Sequence, residues 1–312
     1  MPCPYNEDTA MRVTNQSLSN QVQEGLQQAY RRLAETQESV STGRRINRLS
    51  DDPFGAVRAM DLRSFEASLD QYGKNISGAL PLLNQTDSVL GEVDDILGRT
   101  KELALAMANG SVPPQDRATA AVEVRRLFLR LLSLGNAKFE NRYLFAGFEN
   151  GTAPFTEGVG VVTYGGDGGE VKIQANSSTN VAVNLPGDKV FQGVGVTGGV
   201  DMFDVLLDLE TALQANDVTG PSGIGAQIGR LDTALTQASR FRAEVGARLD
   251  TLNTASQGLE AMRLGTAERR SRIEDVDALK IYSDFARLQQ AFQAALQSSA
   301  RVIQPSLLDF LR

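Results

Sequence analysis

The stretch VSTGRRINRLSDDPFGA, residues 40–56, lies between two long segments of helical periodicity. Gly43 stands where a helix commonly ends in a left-handed residue. Asp52 can accept hydrogen bonds from the free N–H groups of a following helix, and Pro53 suits a first helical turn because it has no N–H to lose. The stretch therefore predicts a joint that ends one helix and begins the next.

The joint is rich in charge. Its ionic side chains are Arg44, Arg45, Arg48, Asp51 and Asp52. A phosphate site would need a glycine nest or a free helix N-terminus beside the arginines, and the sequence offers neither. Arginine–carboxylate bonds that fix the bend, within the chain or to a neighbour, are the favoured interpretation. Adjacent aspartates point to different sides, so a catalytic acid–base pair is not predicted here.

Apolar residues recur at alternating steps of four and three on both sides of the joint, which is the spacing of a coiled-coil seam. The seam before the joint comprises Val22, Leu26, Ala29, Leu33, Thr36 and Val40. The seam after it comprises Thr86, Val89, Val93, Ile96, Thr100, Leu103 and Met107. These patterns predict one helix from about Ser17 to Thr42 and another from Asp52 or Pro53 toward Asn109. Gly78 to Pro81 mark a predicted break in the second helix.

Helical spacing returns after the turn NGSVPPQD, residues 109–116, and again after Asp201. The third helix, over 117–137, carries its apolar face on Ala121, Val124, Leu127, Leu131 and Leu134. The longest seam comprises Ile224, Ile228, Leu231, Leu235, Ala238, Val245, Leu249 and Leu252, with Arg242 as its one polar exception. The last helix carries Ile281, Phe285, Leu288, Phe292, Ala295, Ser299 and Val302.

The period changes in the middle of the chain. VGVVTY (159–164) and EVKIQA (170–175) alternate as strands and flank GGDGG, which predicts a hairpin turn between them. NVAVNL (180–185) predicts a third strand, closed by a turn at PGDK (186–189). The helical seams on either side close without this segment, so we expect it to be an insertion that could be excised at modest cost.

The fold class that follows is mainly α: an elongated antiparallel helical rod with terminal coiled-coil helices and a small inserted β domain. We expect the N-terminal helices to pair with the C-terminal ones, because each carries one apolar stripe that it cannot bury alone. The predicted segments are a disordered leader (1–10, with Met11 as a second candidate start), an N-terminal coiled-coil helix and joint (11–50), rod helices (51–144), a β domain (145–200), returning rod helices (201–280) and a C-terminal coiled-coil helix (281–312).

Composition argues against an enzyme. The chain of 312 residues has no His and no Trp, and it has a single Cys, Cys3. It thus lacks the commonest general base and metal ligand, and one Cys builds neither a disulfide nor a zinc site. A net charge of −7 disfavours nucleic-acid binding, no apolar run could span a membrane, and no cleaved signal peptide is recognisable. We predict no catalytic, cofactor or metal site.

Two further motifs match the residue pattern of a functional site but lack the structural context that such a site requires. GVGVTGG (193–199) satisfies G-x-G-x-x-G, and Asp217 lies about 20 residues on. A Pro/Gly linker and a long helix follow, instead of a second parallel strand, so dinucleotide binding is not predicted. Asp94 and Asp95 are neighbours on a helix, and a solvated face is the favoured interpretation.

The joint resembles the N-terminal signature of the bacterial flagellin superfamily, in which serine-x-glycine precedes arginine-isoleucine-asparagine and an aspartate pair. The matching segments are Ser41-Thr42-Gly43, Arg45-Ile46-Asn47 and Asp51-Asp52-Pro53-Phe54-Gly55. LALAMANG (103–110) is similar to the family's helix end, and SLLDFLR (306–312) to its apolar tail. The resemblance covers about residues 11–148 and 224–312.

Asp-Asp-Pro and NRYLFAGFENGTAPF (141–155) are similar to the hook-associated branch of the superfamily rather than to flagellin. The resemblance implies a structural adaptor that joins the hook of the bacterial flagellum to its filament. Flagellin itself, or a soluble coiled-coil signalling protein, are the alternatives left open.

The implied partners are identical subunits in a tubular ring, a second hook-associated junction protein on the hook side, flagellin on the filament side and an export chaperone at the C-terminal helix. The implied location is the flagellum outside the cell, reached without a cleaved signal peptide. The residues that the resemblance assigns to the motif and to assembly are Gly43, Arg45, Ile46, Asn47, Asp51, Asp52, Pro53, Gly55, Tyr143, Leu144, Phe145, Gly147, Phe285, Leu288, Phe292, Leu307, Leu308, Phe310 and Leu311.

Overall fold

The computed structural model describes residues 7–303, except for the side chains of 7–16, 18 and 301–303. The chain forms two compact units: unit 1 comprises Met1–Ala67 with Leu264–Arg312, and unit 2 comprises Ser68–Arg263. Several predicted features lie outside the described residues or side chains. They are Cys3 and residues 1–6 of the leader, the seam residue Val302, and Leu307, Leu308, Phe310 and Leu311 of the apolar tail.

Long helices and short strand pairs make up the described chain. The helices are α1 (Glu7–Thr42), α2 (Pro53–Met107), α3 (Pro114–Gly135), α4 (Gly187–Phe191), α5 (Met202–Gln214), α6 (Ile224–Glu274) and α7 (Ala278–Ile303). The strands are β1 (Lys138–Phe139), β2 (Arg142–Tyr143), β3 (Phe155–Glu157), β4 (Val162–Tyr164), β5 (Lys172–Gln174) and β6 (Asn180–Ala182). They pair antiparallel as β1–β2, β3–β4 and β5–β6. The prediction of a mainly α fold with a small β segment in its middle is confirmed. None of the helices within residues 7–303 has both the length and the apolar character of a membrane span.

In unit 1, α1 and α7 run antiparallel. The Tyr30 and Phe292 rings lie 5.9 Å apart, and Gly43 at the end of α1 is bonded to Val276 just before α7. The predicted seam residues of α1 are half-buried along its length, whereas the residues between them are mostly exposed. The predicted pairing of the terminal helices is confirmed. α1 begins at Glu7, earlier than the periodicity predicts, and so takes in residues 7–10 of the predicted leader.

In unit 2, α2 and α6 also run antiparallel. Arg242 of α6 is paired with Asp87 of α2 at 3.2 Å, and Asp232, earlier in α6, is paired with Lys101, later in α2, at 2.5 Å. α3 lies beside α2 as well, since Arg130 contacts Glu92 at 3.0 Å. The seams of these helices therefore face one another in a shared core.

α2 is continuous through Pro81, so the predicted break near Gly78–Pro81 is wrong. Pro81 is exposed, and so is Ser77, whose carbonyl loses the helical hydrogen bond that Pro81 cannot donate. Ala79 and Leu83 lie on the buried side of the helix and pack into the core of unit 2. Packing on that side outweighs the roughly 3 kcal/mol that an interior proline costs a helix.

The predicted pairing of 159–164 with 170–175 across GGDGG is wrong. β4 pairs instead with β3, which the sequence did not reveal, and β5 pairs with β6. Asp167, within the glycine-rich stretch, explains the difference, because its carboxylate accepts from the N–H groups of Phe148 at 2.6 Å and Gly169 at 3.1 Å. These bonds tie the stretch to the loop after β2. The PGDK segment, predicted as a turn, leads into α4.

The β segment shares its core with the helices of unit 2. Phe155 of β3 packs against Phe203 of α5, with ring centroids 5.0 Å apart, and against Phe191 of α4 at 5.2 Å. All three rings are buried. Arg248 of α6 donates a hydrogen bond to the carbonyl of Ala182 in β6 at 3.2 Å. The expectation that the helical seams close without this segment is therefore wrong, because its removal would open the core around Phe203.

Candidate assembly joint

α1 ends in the left-handed turn that the sequence predicts. Gly43 has a φ of 69°, and its N–H donates to the carbonyl of Ser39 at 2.9 Å. The hydroxyl of Thr42 donates to the carbonyl of Glu38 at 2.9 Å and lies 2.8 Å from Oδ1 of Asn47. Glycine suits this position because a Cβ is strained in the left-handed region. The chain thus leaves α1 sharply, held by bonds within the joint.

Asp51 and Asp52 are capping residues. Asp51 Oδ2 accepts from the N–H groups of Asn47 at 3.0 Å and Arg48 at 2.8 Å, and Asp52 Oδ1 accepts from the Gly55 N–H at 2.9 Å, at the start of α2. The bond from Arg48 is the main cause that lowers the pKa of Asp51, and the bond from Gly55 is the main cause that lowers the pKa of Asp52. Both groups are therefore charged at neutral pH and act as hydrogen-bond acceptors.

Gly55 allows the first turn of α2 to approach the rest of the joint closely. A Cβ at this position would come within 2.5 Å of the Asp52 carboxylate and 2.7 Å of Ile46 Cδ1. Ile46 is buried, as are Ala56 and Ala59 on the adjoining face of α2. The glycine and the isoleucine of the motif therefore form one packing arrangement.

The joint is also bonded to the break between α6 and α7. The Arg45 N–H donates to the carbonyl of Glu274 at 2.6 Å, and the Val276 N–H donates to the carbonyl of Gly43 at 3.1 Å. These bonds form a short antiparallel bridge. The Arg45 guanidinium donates to the carbonyl of Ile273 at 2.9 Å. Two turns that are far apart in sequence thus form one structural element.

Each arginine of the joint has a carboxylate partner. The pairs are Arg44 with Glu274 at 3.1 Å, Arg45 with Asp52 at 3.1 Å and Arg48 with Glu38 at 2.9 Å. The interpretation of these residues as arginine–carboxylate bonds that fix the bend is confirmed within the chain. The phosphate alternative loses support, because carboxylates already offset the charges that it would use.

Glu274 is the central residue of the joint that sequence reasoning missed. Its side chain is 1% exposed and contacts three arginines: Arg44, Arg63, which donates to Oε1, and Arg270, whose Nη1 lies 3.5 Å from Oε2. Several cations are needed around it because a buried carboxylate is costly without partners. Arg270 lies four residues earlier on the same helix, whereas Arg44 and Arg63 come from distant parts of the chain, so the sequence signals only an acidic residue at the end of a helix.

α7 begins at a capped N-terminus. Asp277 Oδ1 accepts from the N–H groups of Leu279 at 3.0 Å and Lys280 at 3.2 Å. The helix therefore starts a few residues before the predicted boundary at 280/281. The assembly residues predicted on its inner face are Phe285, Leu288 and Phe292. All three are half-buried on the face that meets α1, so this seam is only partly covered by the helix pair.

The remaining predicted residues, Tyr143, Leu144, Phe145 and Gly147, belong to unit 2 and not to the joint. Leu144 and Phe145 are core residues, and the Phe145 carbonyl accepts from the hydroxyl of Tyr164 at 2.8 Å. Gly147 has a φ of 71°, and a Cβ there would overlap with the backbone of the glycine-rich loop. This group organises the core of unit 2.

The dinucleotide-like motif has no matching architecture. GVGVTGG lies between α4 and α5, and the structure continues with α5, a loop and α6. Asp217 accepts from the Gly220 N–H at 2.8 Å in that loop, so its carboxylate shapes a turn. Within residues 7–303, no cluster of three or more acidic or cysteine side chains could hold a metal ion.

The prediction of a solvated face holds for Asp95, which is exposed, and is wrong for Asp94. Asp94 is half-buried and its Oδ2 lies 3.7 Å from Nη1 of Arg242, the polar exception in the seam of α6. Burial raises the pKa of Asp94, while the neighbouring guanidinium opposes that rise. The polar exception in the seam of α6 is thus paired with a half-buried carboxylate of α2.

Two family profiles match the chain. The profile of the bacterial flagellin N-terminal helical region matches residues 13–150, and that of the bacterial flagellin C-terminal helical region matches residues 228–311. The turn after α1 lies within the first match, and the break between α6 and α7 lies within the second. The bonded joint is therefore made from both matched regions.

Individual proteins are similar over most of the chain. Flagellar hook-associated protein 3 of Escherichia coli (strain K12) is 28% identical over 305 residues, which is 92% of this chain and 96% of that protein. Flagellin FlaB1 of Treponema pallidum (strain Nichols) is 30% identical over 281 residues, 88% of this chain and 91% of that protein. The crystal structure of flagellar hook-associated protein-3 from Legionella pneumophila shares the fold, with a TM-score of 0.61 at 17% identity over 68% of this chain and 98% of that chain. This chain belongs to the bacterial flagellin family.

Proposed function

We propose that this protein is a structural adaptor that joins the hook to the filament of the bacterial flagellum. The observation that carries the proposal is the likeness to hook-associated protein 3 of Escherichia coli, which extends over 92% of this chain and 96% of that protein. The stretch 141–155, which resembles the hook-associated branch of the family, supports the same choice. It places Leu144 and Phe145 in the core of unit 2.

The geometry of the terminal helices supports assembly through them. The seam between α1 and α7 is only half-buried, and Tyr30 beside Phe292 is 61% exposed. A helix pair with an incompletely covered seam is stabilised when further helices pack against it. We expect copies of this chain to supply those helices by assembling into a tubular ring.

An adaptor needs two kinds of neighbour besides its own copies. We propose a second hook-associated junction protein on the hook side and flagellin on the filament side. Before assembly, an export chaperone would cover the apolar stripe of α7, because an exposed stripe of this kind promotes aggregation. The chain would travel unfolded through the hollow organelle, without a cleaved signal peptide, and act in the flagellum outside the cell.

The alternative is a filament subunit, which the 30% identity to flagellin FlaB1 favours. Deleting the gene and examining the cells by electron microscopy distinguishes the two. An adaptor predicts hooks without filaments and unassembled flagellin in the medium. A filament subunit predicts hooks that lack filaments with no shed flagellin. A strain that keeps normal filaments would contradict both roles. Return of filaments on re-expression from a plasmid is the control.

A further inference from the structure

A cavity of about 420 Å³ opens beside the joint in unit 1. Its buried lining residues are the apolar Ile46, Ala56 and Ala59 together with Glu274, whose carboxylate is already paired with arginines. Its rim carries the guanidinium groups of Arg48 and Arg63. We call it the joint cavity. A mainly apolar buried lining with an arginine rim suits an aromatic ring, because a guanidinium packs favourably against the face of such a ring.

Among the described residues of unit 1, the most exposed large apolar side chain lies on α2, on the side opposite the joint cavity. Phe54, in the first turn of α2, is 90% exposed. Val57 and Phe65 are 54% and 47% exposed and follow at helical spacing on the same side. We call these three residues the knob face. At 3.6 residues per turn, the cavity residues Ala56 and Ala59 point to the opposite side of α2.

We propose that Phe54 of one copy of this chain inserts into the joint cavity of the next copy. The inference rests on the proposed function, since it names the contact between subunits. A phenyl ring fits the available volume, its burial removes a large apolar surface from water, and Arg48 or Arg63 would pack on its face.

The opposite placement of knob and cavity determines the kind of assembly. A two-fold dimer presents the same patch on both partners, whereas a knob and a cavity on opposite sides of α2 give a head-to-tail contact. Such a contact repeats from copy to copy and closes into a ring or continues as a helical tube. One short segment, residues 46–65, would then supply both halves of the repeat.

The charges beside the knob face and at the rim of the joint cavity are opposite in sign, which favours the same head-to-tail contact. The exposed Asp61 lies beside the knob face, one turn after Val57. Arg48 at the rim of the cavity is paired with Glu38 at 2.9 Å and is still 65% exposed, so a carboxylate from the next copy can share its guanidinium. Arg58 also flanks the knob face but is positively charged, so the pairing with Arg48 involves Asp61 alone. The occupant favoured by these observations is a second copy of this chain.

Cross-linking in assembled flagella tests the contact while keeping Phe54 in place. In a Cys3→Ser background, Val57→Cys puts a thiol on the knob face and Leu49→Cys puts one at the cavity, where Leu49 is 62% exposed. The doubly substituted protein replaces the wild type in the native bacterium. A short bis-maleimide is added to isolated hooks, and the products are separated by denaturing electrophoresis. We expect a ladder of covalent multimers.

Three matched variants define the result. Val57→Cys with Ala67→Cys moves the second thiol from the cavity to a point roughly 20 Å beyond the start of α2 and should give no ladder. Val57→Cys alone should give no dimer, and a dimer would overturn the proposal in favour of a two-fold contact. Adding Phe54→Ser to the double variant should weaken the contact at least about tenfold, given the apolar area that a buried Phe removes from water, and so abolish the ladder.

The outcome separates this inference from the proposed function. If the double variant restores filaments to the deletion strain but gives no ladder, the knob-and-cavity contact is wrong and the adaptor role stands. A thiol at Val57 that cross-links only to a different flagellar protein likewise overturns the contact. Because Phe54 is 90% exposed, Phe54→Ser should leave the circular dichroism of the monomer unchanged, so loss of the ladder does not reflect misfolding.

Discussion

Unit 1 and unit 2 carry seams with the same heptad spacing and bury them differently. From Thr86 to Leu103 in α2, every predicted seam residue is buried. From Val22 to Val40 in α1, every predicted seam residue is only half-buried. Two helices flank α2 in unit 2, because Asp87 contacts α6 and Glu92 contacts α3. The seam of α1 meets α7. Heptad spacing thus predicts where a seam lies, and the number of helices packed against the seam determines how completely its residues are buried.

This difference matters for assembly. A seam that is fully buried within one chain gains little from a neighbouring subunit, whereas a half-buried seam can still transfer apolar surface out of water. Unit 2 is therefore expected to be stable in the free subunit, and the terminal helix pair to gain stability from other subunits. Four comparisons, from the largest expected effect to the smallest, test how strongly burial determines the energetics of each unit.

The largest contrast is expected between equal truncations in the two units. Phe203→Ala removes a buried ring that packs against Phe128, Phe155 and Phe191, and should lower the free energy of unfolding of unit 2 by about 3–5 kcal/mol. Phe292→Ala removes a half-buried ring that contacts Tyr30 and should cost unit 1 only about 1–2 kcal/mol in the free subunit.

Hydrogen exchange read by mass spectrometry separates the two units, because each peptide reports its own opening free energy. Phe203→Ala should speed exchange in α3 and α5, and Phe292→Ala should speed exchange in α1 and α7. Equal losses in both units would mean that the seam of α1 is as well packed as the core of unit 2, and the comparison would fail.

Two glycines with left-handed backbones give the second contrast. Gly147→Ala, in unit 2, adds a Cβ that overlaps with Asp167, so strain and overpacking together should cost about 3 kcal/mol. Gly43→Ala, in the joint, has a similar φ but open space around the added Cβ, so only the left-handed strain of about 1 kcal/mol is expected. Chemical denaturation of each variant measures the difference. A larger loss for Gly43→Ala would show that the joint is the tighter environment.

The features that the sequence predicted correctly are those set by local chemistry. Gly43 ends α1, Asp52 caps α2 and Pro53 begins it, all because each acts on backbone groups within a few residues. The seams were also predictable, because their spacing follows from helix geometry alone. Local rules therefore located the joint and most helix ends without knowledge of the fold.

The features that could not be predicted depend on contacts between distant segments. Glu274 looks like an ordinary surface acid paired with Arg270 on its own helix until the fold brings Arg44 and Arg63 to it. The turn assigned to GGDGG failed because Asp167 bonds to Phe148, before β3, rather than closing a hairpin. In both cases the partner lies far along the chain, and no local propensity encodes it.

Glu274 gives the third contrast, between a buried and an exposed ion pair. Glu274→Gln keeps the size of the side chain but removes the charge shared by three arginines, and should cost unit 1 about 2 kcal/mol. The loss stays below that of a fully buried pair because Arg44 and Arg63 are nearly half exposed and can be hydrated. Glu38→Gln, which breaks the exposed pair with Arg48, is the control and should cost less than about 0.5 kcal/mol.

Hydrogen exchange at the end of α1 and the start of α7 would measure both Glu variants. We expect faster exchange around Gly43 and Val276 for Glu274→Gln, because the bonds between them hold the two turns together. Unit 2 should be unaffected. Equal effects of the two substitutions would mean that the buried carboxylate adds nothing beyond an ordinary surface pair.

The smallest effect is expected from pH and concerns unit 2. Burial raises the pKa of Asp201 from 3.8 to about 6, although its carboxylate accepts from the N–H groups of Phe203 and Asp204. Between these two pKa values the folded state binds more protons than the unfolded state, so this residue's contribution to stability falls as pH rises from about 4 to about 6.

Asp201→Asn removes the titration and retains a capping oxygen. Relative to wild type, the variant should therefore gain about 1–2 kcal/mol between pH 4 and pH 7, which is roughly one to two thirds of the full shift after allowance for partial exposure. Urea midpoints of the variant and of the wild type at several pH values measure the difference. A gain toward low pH would mean that the folded state stabilises the charged form of Asp201, which is the opposite of what its burial predicts.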